Sequence, residues 1–231
     1  MTFQSQSQKT IMCVSFSLEK ARKIQEILSK KVIAQDSFIT PINYIAGVDV
    51  AYADKYSIGA VAVLDYASMK PVESRLAVVE TRFPYIPTLL SFRELPPAVS
   101  AIRKLTLKPS VFLVDGQGIA HPYHFGFASH LGVTLDMATI GVAKSLLCGD
   151  ISNLGDLLWE PIIYSGKVVG GAVFTKQGSK PIFVSIGHKI SLETAIKIVL
   201  ECSRGHRIPE PLREAHMAAE KTKREILARM K

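Results

Sequence analysis

Apolar residues recur along this chain at helical and strand spacings in turn. Ser17 is placed to cap a helix running to about Lys31, with Leu18, Ala21, Ile24, Ile27 and Leu28 on one stripe. Pro41 closes the loop before a first strand over residues 44–52. Further strands are expected over 57–66 and 73–81, and their short spacing predicts a three-stranded antiparallel meander. Phe83-Pro84-Tyr85-Ile86-Pro87 reads as a rigid loop, followed by a helix over 91–105 and a strand over 111–115. A short helix over 126–132 and a strand over 139–142 come next, and 166–176 with 180–186 pattern as a hairpin pair. A helix over 191–203 precedes a basic helix from about 210 to 230. In that last helix Leu212, Ala215, Ala219, Thr222 and Ile226 recur at helical spacing, so it packs by one face. A meander followed by strands alternating with helices predicts an α/β fold, a mixed central sheet flanked by helices. No repeat or flexible linker divides the chain. One domain is expected over 17–231, with 1–16 as a flexible tail.

Composition narrows the function. A hydrophobic content of 48% over 231 residues suits a well-packed soluble core. No apolar stretch reaches the roughly 18 uncharged residues of a membrane span, and the polar start lacks a signal-peptide core. Cys13, Cys148 and Cys202 are odd in number and far apart, which argues against a disulfide framework or a cysteine zinc site. A cytoplasmic protein acting away from membranes, and as a monomer, is expected. The net charge of +8 sits at the ends: residues 1–31 carry six basic and two acidic side chains, and 204–231 carry eight and four. A neutral body with basic ends suits a polyanionic partner, nucleic acid first. Charge alone describes two solvated helices equally well.

The candidate chemistry lies in acids that interrupt apolar runs. Asp115 ends Val111-Phe112-Leu113-Val114, and Asp49 sits inside Ile45-Ala46-Gly47-Val48-Asp49-Val50. A buried carboxylate is costly without a partner, and a divalent metal is the simplest one. A salt bridge for Asp49, or a turn cap for Asp115, is the plainer alternative. Glu94, in Ser91-Phe92-Arg93-Glu94, is the third acid, although Ser91 and Glu94 also have capping-box spacing. Acids at a strand centre, a strand end and a helix start can converge at one sheet edge, as a two-metal phosphodiester site requires. Lys144 ends a strand where it can offset phosphate charge, or is an ordinary surface lysine. His121 is close in sequence to Asp115 and either touches metal or phosphate or is a structural histidine. Gly116 and Gly118 permit close backbone approach by a ligand. In Pro84-Tyr85-Ile86-Pro87 the prolines hold Tyr85 and Ile86 either outward, as a wedge between bases, or into the core.

From Ile45 to Ala218 these motifs, taken in order, resemble endonuclease V, the deoxyinosine-3′ endonuclease family. The series continues through Ala128-Ser129-His130-Leu131-Gly132, Thr139-Ile140-Gly141-Val142-Ala143-Lys144 and Gly187-His188-Lys189-Ile190-Ser191 to Pro209-Glu210-Pro211. The resemblance implies a ribonuclease H-like fold and phosphodiester hydrolysis with Mg²⁺ (or Mn²⁺) at the second bond 3′ to hypoxanthine in DNA, leaving 3′-hydroxyl and 5′-phosphate. Inosine-containing DNA is the implied partner, with RNA as the alternative substrate. It assigns Asp49, Glu94 and Asp115 to metal, Lys144 and His121 to the catalytic site, and Tyr85 to strand separation. Leu90, Gly116, Gly126 and Phe127 match the base pocket. Two positions stand out: Thr88, where the family usually has glycine, and His216, where members carry Asp or His near the metal.

Overall fold

The structure is a computed structural model and describes residues 17–152 and 158–230; the expected tail over 1–16 lies outside the described residues. In chain order the elements are α1 (Leu18–Ser29), β1 (Tyr44–Ala53), β2 (Tyr56–Asp65), β3 (Pro71–Glu80), α2 (Leu90–Ile102), β4 (Val111–Asp115) and α3 (Phe127–Leu135). Then follow β5 (Thr139–Ala143), β6 (Asp150–Ile151), β7 (Trp159–Tyr164), β8 (Lys167–Val173), β9 (Ile182–His188), α4 (Leu192–Glu201) and α5 (Glu210–Arg229). Among the described residues the strands form one nine-stranded sheet, in the order β3-β2-β1-β4-β5-β9-β8-β7-β6. The expected meander is β1–β3, and β4 and β5 continue it in parallel with β1. β6 and β7 were not anticipated. They pair antiparallel beyond the expected hairpin of β8 and β9, and Pro161 with Glu160 in β7 hides its strand pattern.

Alternation along the strands divides the core into two layers. Ile45, Leu64, Val111, Leu113 and Ile140 face α4 and the start of α5, where they meet Ala195, Ile196, Leu212 and Ala215. Ala46, Val48, Val61, Phe112 and Val114 face α2 and α3, against Ala98, Ile102, Phe127 and Leu131. Covered on both faces, β2 is buried along nearly its whole length, while the edge strand β3 is mostly exposed.

Two expectations about helices change. The capping box does not form: α2 starts at Leu90 with Leu89 at its N-cap, and no side chain caps it. Ser91 instead places its hydroxyl 3.1 Å from Nδ1 of the buried His130, joining α2 to α3. α1 is capped by Ser17 as expected, but only part of its apolar stripe, Ala21 and the half-buried Leu28, lies on the face it buries. Leu18, Ile24 and Ile27 remain 44–50% exposed, and Gln25 is fully buried beside Ala21.

α5 can lie against β1 because Gly47 has no side chain. A Cβ there would stand 1.9 Å from the carbonyl oxygen of Pro211 at the start of that helix. Gly47→Ala is expected to push α5 off the sheet and to cost about 1–3 kcal/mol or more as overpacking. Thermal denaturation checks this, since each kcal/mol lowers the Tm of a chain this size by about 2–4 °C. An unchanged Tm would rule out the tight approach.

Candidate active site

Asp49 and Asp115 stand abreast. The parallel register pairs Val48 with Val114, so each neighbouring strand presents a carboxylate at its next position. By alternation both acids share the face on which Ile45 and Leu113 meet α5. That helix carries His216, whose Nδ1 lies 2.7 Å from Oδ2 of Asp49. The other oxygen of Asp49 accepts the backbone N–H of Val50 at 2.8 Å. Lys144, just past the end of β5, donates from Nζ to Oδ2 of Asp115 at 2.6 Å. Burial holds the Asp115 carboxyl above the ordinary carboxylate range. The neighbouring Asp49 pushes the same way, and the bond from Lys144 pulls against both.

Glu94 reaches the site from the opposite layer, on α2. It is 8% exposed, and burial first, then Asp115 and Asp49, push its carboxyl well above the ordinary range. The Tyr52 hydroxyl stands beside Glu94, although without the alignment of a full hydrogen bond. Arg93 lies over the Tyr52 ring at 4.3 Å.

One atom each of Asp49, Asp115 and His216 fall within 4.8 Å of one another, the one such converging trio among the described residues. Two carboxylate oxygens and an imidazole nitrogen form a donor set that suits a divalent cation. Glu94 was expected as the third metal ligand. It stands at the wall outside the trio, and His216 occupies the converging position.

A cavity of about 610 Å³ opens above these acids. Asp49, Glu94, Asp115, Lys144 and His216 line it together with Pro87, Leu90, Gly116, Gly126 and Phe127. Tyr85 stands at its rim, 68% exposed, so the two prolines hold this ring outward rather than in the core. Ile86 is half-buried, and its carbonyl accepts the N–H of Leu89. Pro84 borders a neighbouring groove with Phe83, Phe92 and Pro96. Gly118 is not a lining residue. A Cβ on it would meet the Ile186 carbonyl oxygen at 2.0 Å, so it lets the loop after β4 rest on β9.

His121 is buried and lines the cavity, but it is not one of the converging donors. Its Nδ1 accepts the N–H of Tyr123 at 3.2 Å. Burial, then the Arg22 charge, lower its pKa to about 4, so the ring is neutral at pH 7. Thr88 and Glu220 also line the cavity. Glu220 was not singled out from the sequence; its position one helical turn after His216 was the available signal. Among the described residues no helix is long and apolar enough to cross a membrane.

The family model for Endonuclease V matches residues 26–217. Endonuclease V of Rippkaea orientalis is 49% identical over 209 residues, covering 88% of this chain and 90% of that protein. Among solved structures, endonuclease V of Streptomyces avermitilis superposes with a TM-score of 0.85 at 38% identity, over 91% of this chain and 94% of that one. Endonuclease V of Ciona intestinalis, in complex with a 23mer DNA containing an inosine followed by a ribo-adenosine, gives 0.83 at 34% identity, over 91% and 100%. These structures share the ribonuclease H-like fold expected from the sequence. With nearly the whole domain matched in sequence and in three dimensions, the chain belongs to the endonuclease V family of hydrolytic nucleases.

Proposed function

We propose that this chain is a metal-dependent DNA-repair endonuclease. It locates hypoxanthine in DNA and hydrolyses the second phosphodiester bond on the 3′ side, leaving 3′-hydroxyl and 5′-phosphate. The observation that carries this reading is the convergence of Asp49, Asp115 and His216 at a cavity large enough for an extruded base. Asp49, Asp115 and His216 would hold Mg²⁺, or Mn²⁺ in its place, which would supply Lewis-acid stabilisation of phosphoryl charge.

The chain's own residues supply the remainder. Lys144 places an ammonium at the cavity beside Asp115, where it offsets charge building on the phosphate oxygens. Glu94, on the cavity wall beside the trio, is placed to orient the attacking water. Tyr85 fills the gap left in the stack, and the base sits among Leu90, Gly116, Gly126 and Phe127. Beyond His216, the exposed Lys221, Arg224 and Arg229 continue α5 as a basic stripe for the flanking backbone. The second reading is an inosine-specific endoribonuclease. The ribo-adenosine bound next to inosine in the Ciona intestinalis protein favours giving it equal trial. Matched DNA and RNA oligonucleotides with one inosine separate the two readings, and insensitivity of cleavage to inosine in both would overturn them together.

Asp49→Ala and Asp115→Ala are each expected to lower Mg²⁺-dependent cleavage by more than about 100-fold, beyond the loss typical of outer-shell partners. The protein should stay folded by circular dichroism. Cleavage at the unmutated rate in either variant would refute the metal assignment.

Glu94→Gln is expected to abolish cleavage while raising Tm in EDTA at neutral pH. The folded-state pKa of Glu94 lies above its unfolded value, so its contribution is most favourable below about 4.5 and is lost as pH rises. The Tm gain of the variant should therefore shrink to nothing in acid, as thermal melts across pH 4 to 8 would show. A gain that grew in acid would reverse the assignment.

Tyr85→Ala is expected to weaken binding to inosine-containing duplex about tenfold while sparing single strands, because only a duplex must be pried open. Equal losses on both substrates would argue against a wedge.

A further inference from the structure

We propose that Arg22 and Gln25 of α1 are positioning residues. They latch the wedge loop to the base-pocket loop through Thr88, and so set how the cavity grips an extruded base. This rests on reading the cavity as a base pocket. Gln25 is fully buried, and its amide is fully used. Nε2 donates to the Thr88 carbonyl at 2.9 Å and to the Phe125 carbonyl at 3.0 Å, and Oε1 accepts from Nη1 of Arg22 at 3.0 Å. The two carbonyls belong to separate loops. One follows the Tyr85 wedge and leads into Leu90; the other leads into Gly126 and Phe127. A single side chain thus spans both walls of the cavity.

Arg22 completes the latch from outside. Its Nη2 donates to Oγ1 of Thr88 at 2.5 Å and reaches the Pro87 carbonyl at 3.4 Å. Its guanidinium lies 4.1 Å over the Tyr123 ring, on the second loop. Thr88 itself has φ of +67°, a left-handed conformation that β-branched residues rarely adopt. Such a conformation persists only where its surroundings over-determine it, and the bonds from Arg22 and Gln25 do so. The orientation of α1 points the same way. A helix docked by its apolar stripe would bury Ile24 and Ile27, but this one leaves them about half exposed and turns its amide inward. The carbonyls of the two loops specify its docking.

The test is a double-mutant cycle of Arg22→Ala and Thr88→Gly, with Arg22→Lys alongside. Each protein is assayed for KM and kcat on an inosine oligonucleotide, and for hydrogen exchange of the amides over residues 86–90. Arg22→Ala is expected to raise KM about tenfold with a smaller change in kcat, and to speed exchange over 86–90. Thr88→Gly, which removes both the hydroxyl and the strain, should make the Arg22→Ala effect much smaller. Arg22→Lys should not rescue, because an ammonium cannot bond Thr88, Pro87 and Gln25 from one planar fork.

Four results would overturn the latch. One is equal Arg22→Ala effects with and without Thr88→Gly. Another is rescue by Arg22→Lys, which would mark a charge contact with nucleic acid. The third is a fall in kcat that tracks lost folded protein with KM unmoved. If the unmutated chain fails to cleave inosine substrates, the proposed function falls, while the exchange measurement still decides the latch. Unchanged exchange over 86–90 in Arg22→Ala would end it.

Discussion

Two largely buried carboxylates on adjacent parallel strands impose the constraint that organises this molecule. Asp49 and Asp115 repel each other, and burial raises the cost of that repulsion. The fold answers with positive or proton-bearing groups drawn from distant parts of the chain. Lys144 comes from the end of β5 and His216 from α5, each within hydrogen-bond distance of one acid. α5 delivers His216 only because Gly47, two residues before Asp49, lets the Pro211 carbonyl approach the sheet. The same strand thus supplies the acid and the space for its partner.

The site also joins the two layers of the core. Asp49 and Asp115 project toward α5, whereas Glu94 comes from α2 on the other side. They meet where β4 and β5 end beside the middle of β1, so that loops leave the sheet there and the backbone is free to shape a cavity. Close packing of the loop after β4 follows from its glycines. Gly118 rests on Ile186, and Gly126 rests on the carbonyl of Gln117. Gly116, beside the acid, lines the cavity itself. The turn next to Asp115 therefore brings the cavity wall to within one residue of the site's chemistry.

Much of this is legible in the sequence alone. The charged interruption of an apolar run is a local signal with a large energetic meaning, and it marked Asp49 and Asp115 directly. Strand and helix periods placed most of the elements, because burial on a sheet or helix face leaves a regular trace. The signal failed where burial depended on a remote partner. β7 carries Glu160 and Pro161, and only its pairing with β8 makes it a strand. The capping spacing of Ser91 and Glu94 was real in sequence, but Ser91 meets His130 from α3 and Glu94 lines the cavity it shares with the two sheet acids. In α1 the apolar stripe was equally real, yet two loop carbonyls bind Gln25, and Ile24 and Ile27 are left half exposed while Ala21 stays buried.

Local chemistry, then, was sufficient to mark the acids, the rigid Pro-Tyr-Ile-Pro loop, the basic ends and the alternating α/β order, since each rests on neighbouring residues alone. The convergence of Asp49, Asp115 and His216, the outward stance of Tyr85, and the place of Glu94 on the wall beside that trio came only with the tertiary structure. So did the demotion of Gly118 from lining to packing. A donor atom's position within a few ångströms depends on strand register and helix approach. Those are settled by contacts between residues as far apart as Asp49 and His216, separated by 167 positions along the chain.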